Sequence, residues 1–282
     1  MSVQWLNLGA KDTLVASGTA AWIQRAALGI RPFAGDMSDS IPSTVESTRH
    51  LLDGAIAAAE HAIPLVQGPP MSRRRWAWSL VNQWYGSHHT LPLLPEVVER
   101  FTAMDRPDLA AFAAEKCDEE RGHDELPLTD LRALGYDAEA AVREVTPDPG
   151  IVELVEYARR CVRGAAPVEF FGHVYAIERQ MLRMDSGFFA ALDEALGCDQ
   201  APASFLRSHA SELDIPHVEE AIAFFAGLPA SDRTAIARGC FRTTEMRHLA
   251  LPGRYPSEAE LESRLARFET TTFAHQPEGE QP

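Results

Sequence analysis

Three short stretches of this sequence carry carboxylate and imidazole side chains at spacings that suit a metal ion. In the first, Cys117–His123, Glu120 and His123 are three residues apart. Residues at i and i+3 leave the same face of a helix, so this pair could bind one ion from a rigid element. Glu119, four residues before His123, is an alternative to Glu120. The pair also suits a solvated helix face without metal, and that interpretation stays open.

The second stretch places Glu178 within an apolar stripe. Glu178 lies seven residues after Phe171 and four after Val174, and Met181 and Leu182 follow it at helical spacing. An unpaired carboxylate in such a place costs several kcal/mol, so we expect Glu178 to be paired, protonated or bound to metal. An ion pair with an arginine of a neighbouring helix is the alternative without metal.

The third stretch contains two histidines and an aspartate within nine residues. Asp214 and His217 are at i and i+3, whereas His209 and Asp214 are five residues apart. In a straight α-helix that spacing turns the latter two side chains about 140° from each other. A π-bulge, which Pro216 makes plausible, would bring His209 onto the same face. In the alternative interpretation, Asp214 caps a helix and His217 is merely exposed.

Together these stretches predict a site for two first-row metal ions. The six candidate ligands are Glu120, His123, Glu178, His209, Asp214 and His217. Oxygen and nitrogen donors without thiolate favour iron or manganese over structural zinc. Carboxylates can bridge two ions and change their binding mode, which leaves open positions for O₂.

The elements that must position these side chains are helices. Apolar residues recur at helical spacing in six segments, whereas the alternation typical of strands is nearly absent. The segments are 45–63, 73–88, 151–162, 167–196, 231–249 and 257–268. Ser257 and Glu260 have the spacing of a capping box at the start of the last one. The pattern predicts one all-α domain of seven to nine helices.

The chain shows no internal repeat and no shift in composition that would mark a second domain. We expect residues 1–42 to form an N-terminal extension with a weak helix around 19–27. The helical domain then spans residues 43–269. Residues 270–282 are polar and rich in Gly, Pro and Glu, which predicts a disordered tail.

Composition excludes several classes of partner. The 282 residues carry 26 basic and 41 acidic side chains, a net charge of −15, which disfavours nucleic acid and anionic membrane surfaces. The four cysteines are widely spaced and form neither a disulfide framework nor a thiolate metal site. No apolar run is long enough to span a bilayer, and no signal peptide is evident. We therefore expect a cytoplasmic protein.

The candidate ligands are also where the chain resembles a family, the heme-oxygenase-like diiron oxidases. Residues 119–135, EERGHDELPLTDLRALG, resemble the first ligand helix of that family, and Tyr175–Glu178, YAIE, resembles the second. Residues 209–220 resemble the third, which usually reads His-x₃-Asp-x₂-His. This chain has one more residue between His209 and Asp214. The resemblance covers roughly residues 75–250.

The resemblance implies a heme-oxygenase-like bundle of about seven core helices that binds two irons and no haem. Its members activate O₂ and oxidise small organic substrates by amine N-oxygenation, oxidative decarboxylation or C–C cleavage. On this basis we expect a diiron-dependent oxidoreductase acting on an amino- or fatty-acid-like molecule, with an external electron donor. The assembly could be a homodimer. Some N-oxygenating members carry an extra glutamate ligand, for which Glu60 is the candidate.

Three alternatives remain from the sequence. A ferritin-like diiron site would use Glu120, His123, Glu178, Glu245 and His248, because Glu245 and His248 form a second ExxH motif. A metal-free bundle would resemble thiaminase II, which uses a cysteine nucleophile, or the pyrroloquinoline-quinone synthase. A non-catalytic all-α binding protein would hold the same polar residues as a buried ion-pair network.

Overall fold

Helices make up most of the structure, which is a computed structural model. It describes residues 3–9, 11–26, 33, 35, 37–63, 68–210, 214–248 and 255–270, and only the backbone of Asp214. The predicted disordered tail lies outside the described residues, apart from Thr270. None of the described helices has the length and apolar character needed to cross a membrane.

Thirteen α-helices are present in the described part of the chain. The first six are α1 (Val45–Ala62), α2 (Arg73–Thr90), α3 (Leu93–Ala103), α4 (Pro107–Glu119), α5 (Glu125–Ala133) and α6 (Ala138–Glu144). The other seven are α7 (Pro149–Arg163), α8 (Glu169–Met181), α9 (Ser186–Leu196), α10 (Ser204–His209), α11 (Asp214–Ala226), α12 (Ala230–His248) and α13 (Glu258–Leu265). A single 3₁₀ turn, Ala266–Phe268, follows α13.

Each predicted helical segment contains helix, and the all-α class is confirmed. The segment 167–196 divides into α8 and α9, because the Asp185 side chain accepts a hydrogen bond from the Phe188 N–H and starts a new helix. The capping box of Ser257 and Glu260 is present at α13. The helices outnumber the seven to nine expected because short ones such as α5, α6 and α10 lie outside the periodic segments.

The first part of the described chain is a three-stranded antiparallel sheet, so the prediction of a weak helix at 19–27 is wrong. Strand β1 (Gln4–Asn7) pairs with β2 (Asp12–Ala16), which pairs with β3 (Ala21–Arg25). A short helical pattern contributes little stability by itself, whereas all five residues of β3 are in register with β2 in an antiparallel ladder. The aromatic and β-branched residues Trp22 and Ile23 also favour a strand.

The sheet packs on the helical bundle through β2 and β1. A Cβ on Gly54 of α1 would stand 3.0 Å from the Leu14 side chain, so the missing side chain lets β2 approach the helix closely. On β1, the buried Gln4 Oε1 accepts a hydrogen bond of 2.6 Å from Arg233 Nε of α12. The sheet is therefore joined to both of the long helices on which it lies.

Two hydrophobic clusters form the core, and α8 belongs to both. One is built around α1, α3, α4, α11 and α12 and includes Phe171 and Tyr175 of α8. The other is built around α2, α5, α6, α9, α10 and α13 and includes Met181 at the end of α8. Glu178 lies between these two parts of α8. A polar site on α8 is therefore enclosed by both clusters.

Candidate metal centre

Glu120 and His123 meet in a turn rather than on a helix face, which corrects the geometry expected from their spacing. Helix α4 ends at Glu119, and Glu120 is its C-cap residue. The chain then turns through Gly122, whose φ of +83° favours glycine. This turn brings His123 Nδ1 to 2.8 Å from Glu120 Oε2. The pair is thus positioned by the end of α4 and by the turn that leads to α5.

His209 completes a cluster with these two residues. Each of Glu120, His123 and His209 offers one ligand atom, and these atoms lie within 4.8 Å of one another. The rings of His123 and His209 stand edge to face with their centroids 4.8 Å apart, and the Phe205 ring flanks His209 in the same way. His209 is 5% exposed. One carboxylate and two imidazoles therefore converge from two separate parts of the chain.

The π-bulge predicted between His209 and Asp214 falls on residues 211–213, which lie outside the described residues. Helix α10 ends at His209 with Ala210 as its C-cap residue, and a new helix, α11, begins at Asp214. Of the candidate residues in the third stretch, His209 therefore lies on α10 and His217 on α11. The side chain of Asp214 lies outside the described residues, so its predicted role as a ligand stays a prediction.

Glu178 is buried, as its apolar surroundings predicted, and it faces Lys116. Its side chain is 10% exposed, and its Oε1 lies 3.7 Å from Lys116 Nζ. The Lys116 ammonium, 5% exposed, also donates a hydrogen bond of 2.6 Å to Glu119 Oε2. The alternative without metal predicted an arginine of a neighbouring helix, and the cation found at this distance is a lysine of α4, one turn before Glu120. Together with Glu120 and His209, Lys116 and Glu178 line a pocket of about 80 Å³.

Opposing effects act on the charges of this pocket. Burial works to raise the pKa of Glu120, but the hydrogen bond with His123 and the charges of His209 and Lys116 outweigh burial and lower the pKa. Burial works to lower the pKa of Lys116, but Glu178 and Glu119 outweigh it and raise the pKa. The carboxylate of Glu120 and the ammonium of Lys116 are therefore both charged at neutral pH.

His217 lies on the other side of Lys116, next to Glu119. Its Nδ1 is 3.9 Å from Glu119 Oε2, and its side chain is 39% exposed. His217, Glu119 and Lys116 line a separate open cleft of about 330 Å³. Both glutamates of the first stretch thus face candidate imidazole ligands: Glu120 faces His123 and His209, and Glu119 faces His217.

Glu245 and His248, which only the ferritin-like assignment uses, and Glu60, the candidate extra ligand, lie elsewhere. Glu60 forms an ion pair of 2.5 Å with Arg183, and Glu245 forms one of 2.6 Å with Arg242. His248 lines a larger cavity that begins beyond Met181. In the part of the chain that the structure describes, none of these three joins the cluster of Glu120, His123 and His209. The positions therefore lend no support to Glu60 as an extra ligand or to the ferritin-like set.

Sequence reasoning did not assign Lys116 to the site. A signal was available, because the chain has only two lysines and Lys116 lies four residues before Glu120, on the same helix face. Sequence reasoning also did not find the apolar wall of the pocket, which comes from three different helices. That wall includes Leu94, Phe170, Val174, Ile177, Met181 and Phe205.

Comparison with solved structures identifies the class of fold to which this helical bundle belongs. The chain is similar to a crystal structure of a domain of unknown function with a heme-oxygenase-like fold from Shewanella denitrificans OS217. The TM-score is 0.56 at 17% sequence identity, and the match covers 71% of this chain and 85% of the other. At that identity the likeness concerns the fold. The fold is therefore a heme-oxygenase-like helical bundle.

A match to a family model identifies the protein family within this fold class. The model described as iron-containing redox enzyme matches residues 77–248, which is more than half of the chain and includes all six predicted metal ligands. The chain therefore belongs to this family of iron-containing redox enzymes. No curated protein matches the sequence significantly.

Proposed function

We propose that this protein is a non-haem diiron oxidase that uses O₂ to oxidise a small organic substrate. The observation that carries the proposal is the convergence of one carboxylate and two imidazoles, Glu120, His123 and His209, within 4.8 Å. The donor set fits iron, because carboxylate oxygen and imidazole nitrogen suit Fe(II), and the cluster found among the described residues contains no thiolate that would favour zinc or copper. Membership in the iron-containing redox enzymes supports the same metal.

The protein's own residues prepare this site in three ways. The lowered pKa of Glu120 keeps its carboxylate ionised and ready to bind a cation. Phe205 packs edge to face on the His209 ring and limits its rotation. Phe170, Ile177 and Met181 line the pocket and limit access of bulk water to it. Bound ferrous iron would supply electrons and open coordination positions for O₂.

A second iron would be held by residues around Lys116. Glu178 and His217 are the candidate ligands there, and Glu119 joins them because it contacts both Lys116 and His217. In the metal-free protein the Lys116 ammonium contacts both Glu119 and Glu178 and compensates part of their negative charge. A second ion at this place therefore requires the Lys116 side chain to move away.

The proposed reaction is N-oxygenation of an amine, or oxidative C–C cleavage or decarboxylation of an amino- or fatty-acid-like molecule. An apolar pocket that adjoins the cluster supports a substrate with an apolar body. When one oxygen atom of O₂ enters the substrate and the other becomes water, the substrate supplies two of the four electrons, so an external electron donor that supplies the other two is part of the proposal.

Anaerobic loading with Fe(II) tests the proposal. The protein is mixed with Fe(II), separated from unbound metal and analysed for iron per chain, then exposed to O₂ while oxygen consumption and visible absorption are followed. We expect iron uptake, oxygen consumption and a transient visible band. Glu120→Ala and His209→Ala should lower iron uptake strongly, whereas His248→Ala should bind as much iron as the wild type. If the wild type takes up no iron and consumes no O₂, the proposal is wrong.

A mononuclear iron oxygenase is the second candidate, and the composition of the cluster favours it. Two imidazoles and one carboxylate are the ligand set of mononuclear non-haem Fe(II) oxygenases. Lys116 occupies the place between Glu119 and Glu178 where a second ion would otherwise lie. The iron count separates the candidates: two ions per chain support the diiron enzyme, and one supports the mononuclear enzyme.

A further inference from the structure

A larger cavity adjoins the pocket of the candidate metal centre. It has a volume of about 610 Å³ and shares Ile177, Met181 and Phe205 with that pocket. Its volume lies within the range of small-molecule binding sites. A molecule bound in this cavity would therefore lie next to the candidate metal ligands.

Much of the cavity wall is apolar. Four methionines and two tryptophans line it: Met71, Met181, Met184, Met246, Trp76 and Trp78. Both indole N–H groups donate to backbone carbonyls, of Pro202 at 2.7 Å and of Thr146 at 3.3 Å, so the two rings contribute apolar surface to the cavity. Flexible thioethers and aromatic faces suit an apolar molecule, because they can adapt to its shape.

The charged groups around the cavity offset one another. Arg75 and Arg247 are the cations among the described lining residues, and Asp148 is the anion. Arg75 forms an ion pair of 2.9 Å with Glu258, which is the second anion. Asp148, Arg247 and His248 interact with other groups of the protein. Because an unpaired charge is costly to bury, two positive and two negative groups favour a ligand without net charge.

Asn82 of α2 presents a hydrogen-bond donor to this cavity. Its Oδ1 accepts a hydrogen bond of 2.7 Å from the backbone N–H of Asp148, which fixes the orientation of the side-chain amide. Its Nδ2 has no hydrogen-bond partner in the described part of the chain. Asn82 is 8% exposed, and Nδ2 keeps accessible surface where the residue lines the cavity. A largely buried N–H without an acceptor is costly, so a ligand with an oxygen acceptor at this place is favoured.

Asn82 lies near the middle of the cavity. The residues of α2 that line the cavity run from Arg75 to Ser87, and Thr90 lines the metal-centre pocket. At 1.5 Å per residue, Asn82 is about 10 Å along the helix from Arg75 and about 12 Å from Thr90. Gly86, between Asn82 and Thr90, has no atom within 4 Å of its Cβ position. The missing side chain therefore leaves the cavity open on the side of the metal centre.

We propose that this cavity binds an uncharged amide with an apolar arm on each side of its carbonyl group. The carbonyl oxygen accepts a hydrogen bond from Asn82 Nδ2. Ser79, one turn earlier on α2, also lines the cavity, and its hydroxyl can accept the amide N–H. One arm lies near Trp76, and the other passes Gly86 towards the metal-centre pocket.

Binding of such an amide depends only on the cavity and on Asn82. The inference that the bound amide is the substrate rests on the proposed function. In that case the oxidised atom belongs to the arm that passes Gly86, and the enzyme prefers an uncharged substrate to a charged amine or acid.

Binding is tested in the metal-free protein with N-hexylhexanamide as the probe. Dihexylamine has the same chain length and is a cation at neutral pH. Isothermal titration calorimetry is combined with intrinsic tryptophan fluorescence, since Trp76 and Trp78 line the cavity. We expect one amide per chain, bound at least tenfold more tightly than dihexylamine. Binding of dihexylamine that equals or exceeds that of the amide, or no binding of the amide, would overturn the proposal.

Asn82→Asp tests the contact with the carbonyl group. One aspartate oxygen can still accept from the Asp148 N–H, whereas the other is an acceptor where Nδ2 was a donor. We expect at least tenfold weaker binding of the amide, tighter binding of dihexylamine, and less than threefold change for dihexyl ether, which lacks the carbonyl group. Gln24→Glu makes the same change on the exposed strand β3 and should leave all three affinities unchanged. Amide binding that is unchanged in Asn82→Asp, or that falls no more than ether binding, contradicts the assignment.

Gly86→Leu tests the location in the cavity. The leucine side chain fills open space beside α2, and leucine favours a helix, so the variant should fold. We expect the affinity for the amide and for dihexyl ether to fall at least tenfold. Unchanged amide binding in a Gly86→Leu protein that circular dichroism shows to be folded would overturn the proposal.

Iron uptake separates this inference from the proposed function. If the metal-free protein binds the amide but takes up no iron, the proposed function fails and the amide site stands. If the protein takes up iron and consumes O₂ but does not bind the amide, the amide site fails and the proposed function stands.

Discussion

Gly172 of α8 and Gly239 of α12 face each other where the two helices cross. A Cβ on Gly239 would stand 3.0 Å from the Gly172 Cα and 2.2 Å from the Glu169 carbonyl oxygen. A Cβ on Gly172 would stand 1.9 Å from the Ile236 carbonyl oxygen. The two helices therefore touch backbone to backbone, and this contact sets the position of α8, which carries Glu178.

We predict that Gly172→Ala and Gly239→Ala each destabilise the protein by about 3 kcal/mol or more, because the helices must separate to admit a methyl group. Gly86→Ala is the matched control. Gly86 lies inside α2 with no atom near its Cβ position, so alanine there should stabilise by about 0.5–1 kcal/mol. Chemical denaturation measures all three. Similar stability of Gly172→Ala and Gly86→Ala would show that the crossing tolerates a side chain.

The left-handed conformation of Gly122 predicts a specific effect on metal binding. Gly122→Ala should cost about 1 kcal/mol of stability and, by disturbing the turn between Glu120 and His123, lower Fe(II) affinity about tenfold. Gly197→Ala places the same strain at the end of α9, where φ is +63°. That variant should lose similar stability and keep its Fe(II) affinity. Equal Fe(II) affinities in the two variants would contradict the role of the turn.

Replacing Lys116, the buried cation, should make the free energy of unfolding depend on whether metal is bound. Lys116→Met leaves Glu119 and Glu178 without the ammonium, which should cost about 3 kcal/mol in the metal-free protein. Added Fe(II) supplies positive charge at the same place, so the loss should shrink in saturating metal. Arg121→Met removes an exposed ion pair with Asp118 nearby and should have little effect in either condition. A loss in Lys116→Met that is independent of metal would argue against a second cation site.

Burial of His173 predicts how stability depends on pH. Burial, with a smaller contribution from the charge of Arg247, lowers the pKa of His173 to about 3 from its usual 6.5. Between pH 6.5 and about 3, His173 is therefore protonated in the unfolded state but neutral in the folded state. The free energy of unfolding then decreases as the pH falls below 6.5. The loss should reach about 3 kcal/mol by pH 4, at about 1.4 kcal/mol per pH unit.

Denaturant titrations of the metal-free wild type and of His173→Asn check this effect. The wild type should lose stability more steeply than the variant between pH 6.5 and 4, whereas the two curves should run parallel between pH 7 and 8. Parallel curves over the whole range would mean that His173 is not the group responsible.

Several features were accessible from the sequence because they depend on local patterns. Helical spacing and capping residues act within a few turns of chain, so α1, α2, α7 and α12 are found close to their predicted bounds. The burial of Glu178 followed from the apolar residues around it, which lie on the same face of one helix. The three stretches of candidate ligands were also identifiable, because residue type and spacing are themselves sequence properties.

Other features depend on contacts between distant parts of the chain, and only the tertiary structure decided them. Spacing could not separate Glu119 from Glu120, because the end of α4 turns one towards Lys116 and the other towards His209. The pairing of β3 with β2 overrode a weak helical pattern, since hydrogen bonds to a neighbouring strand are invisible in local periodicity. The larger cavity beyond Met181 likewise exists only because several helices leave space between them, and no single segment encodes that space.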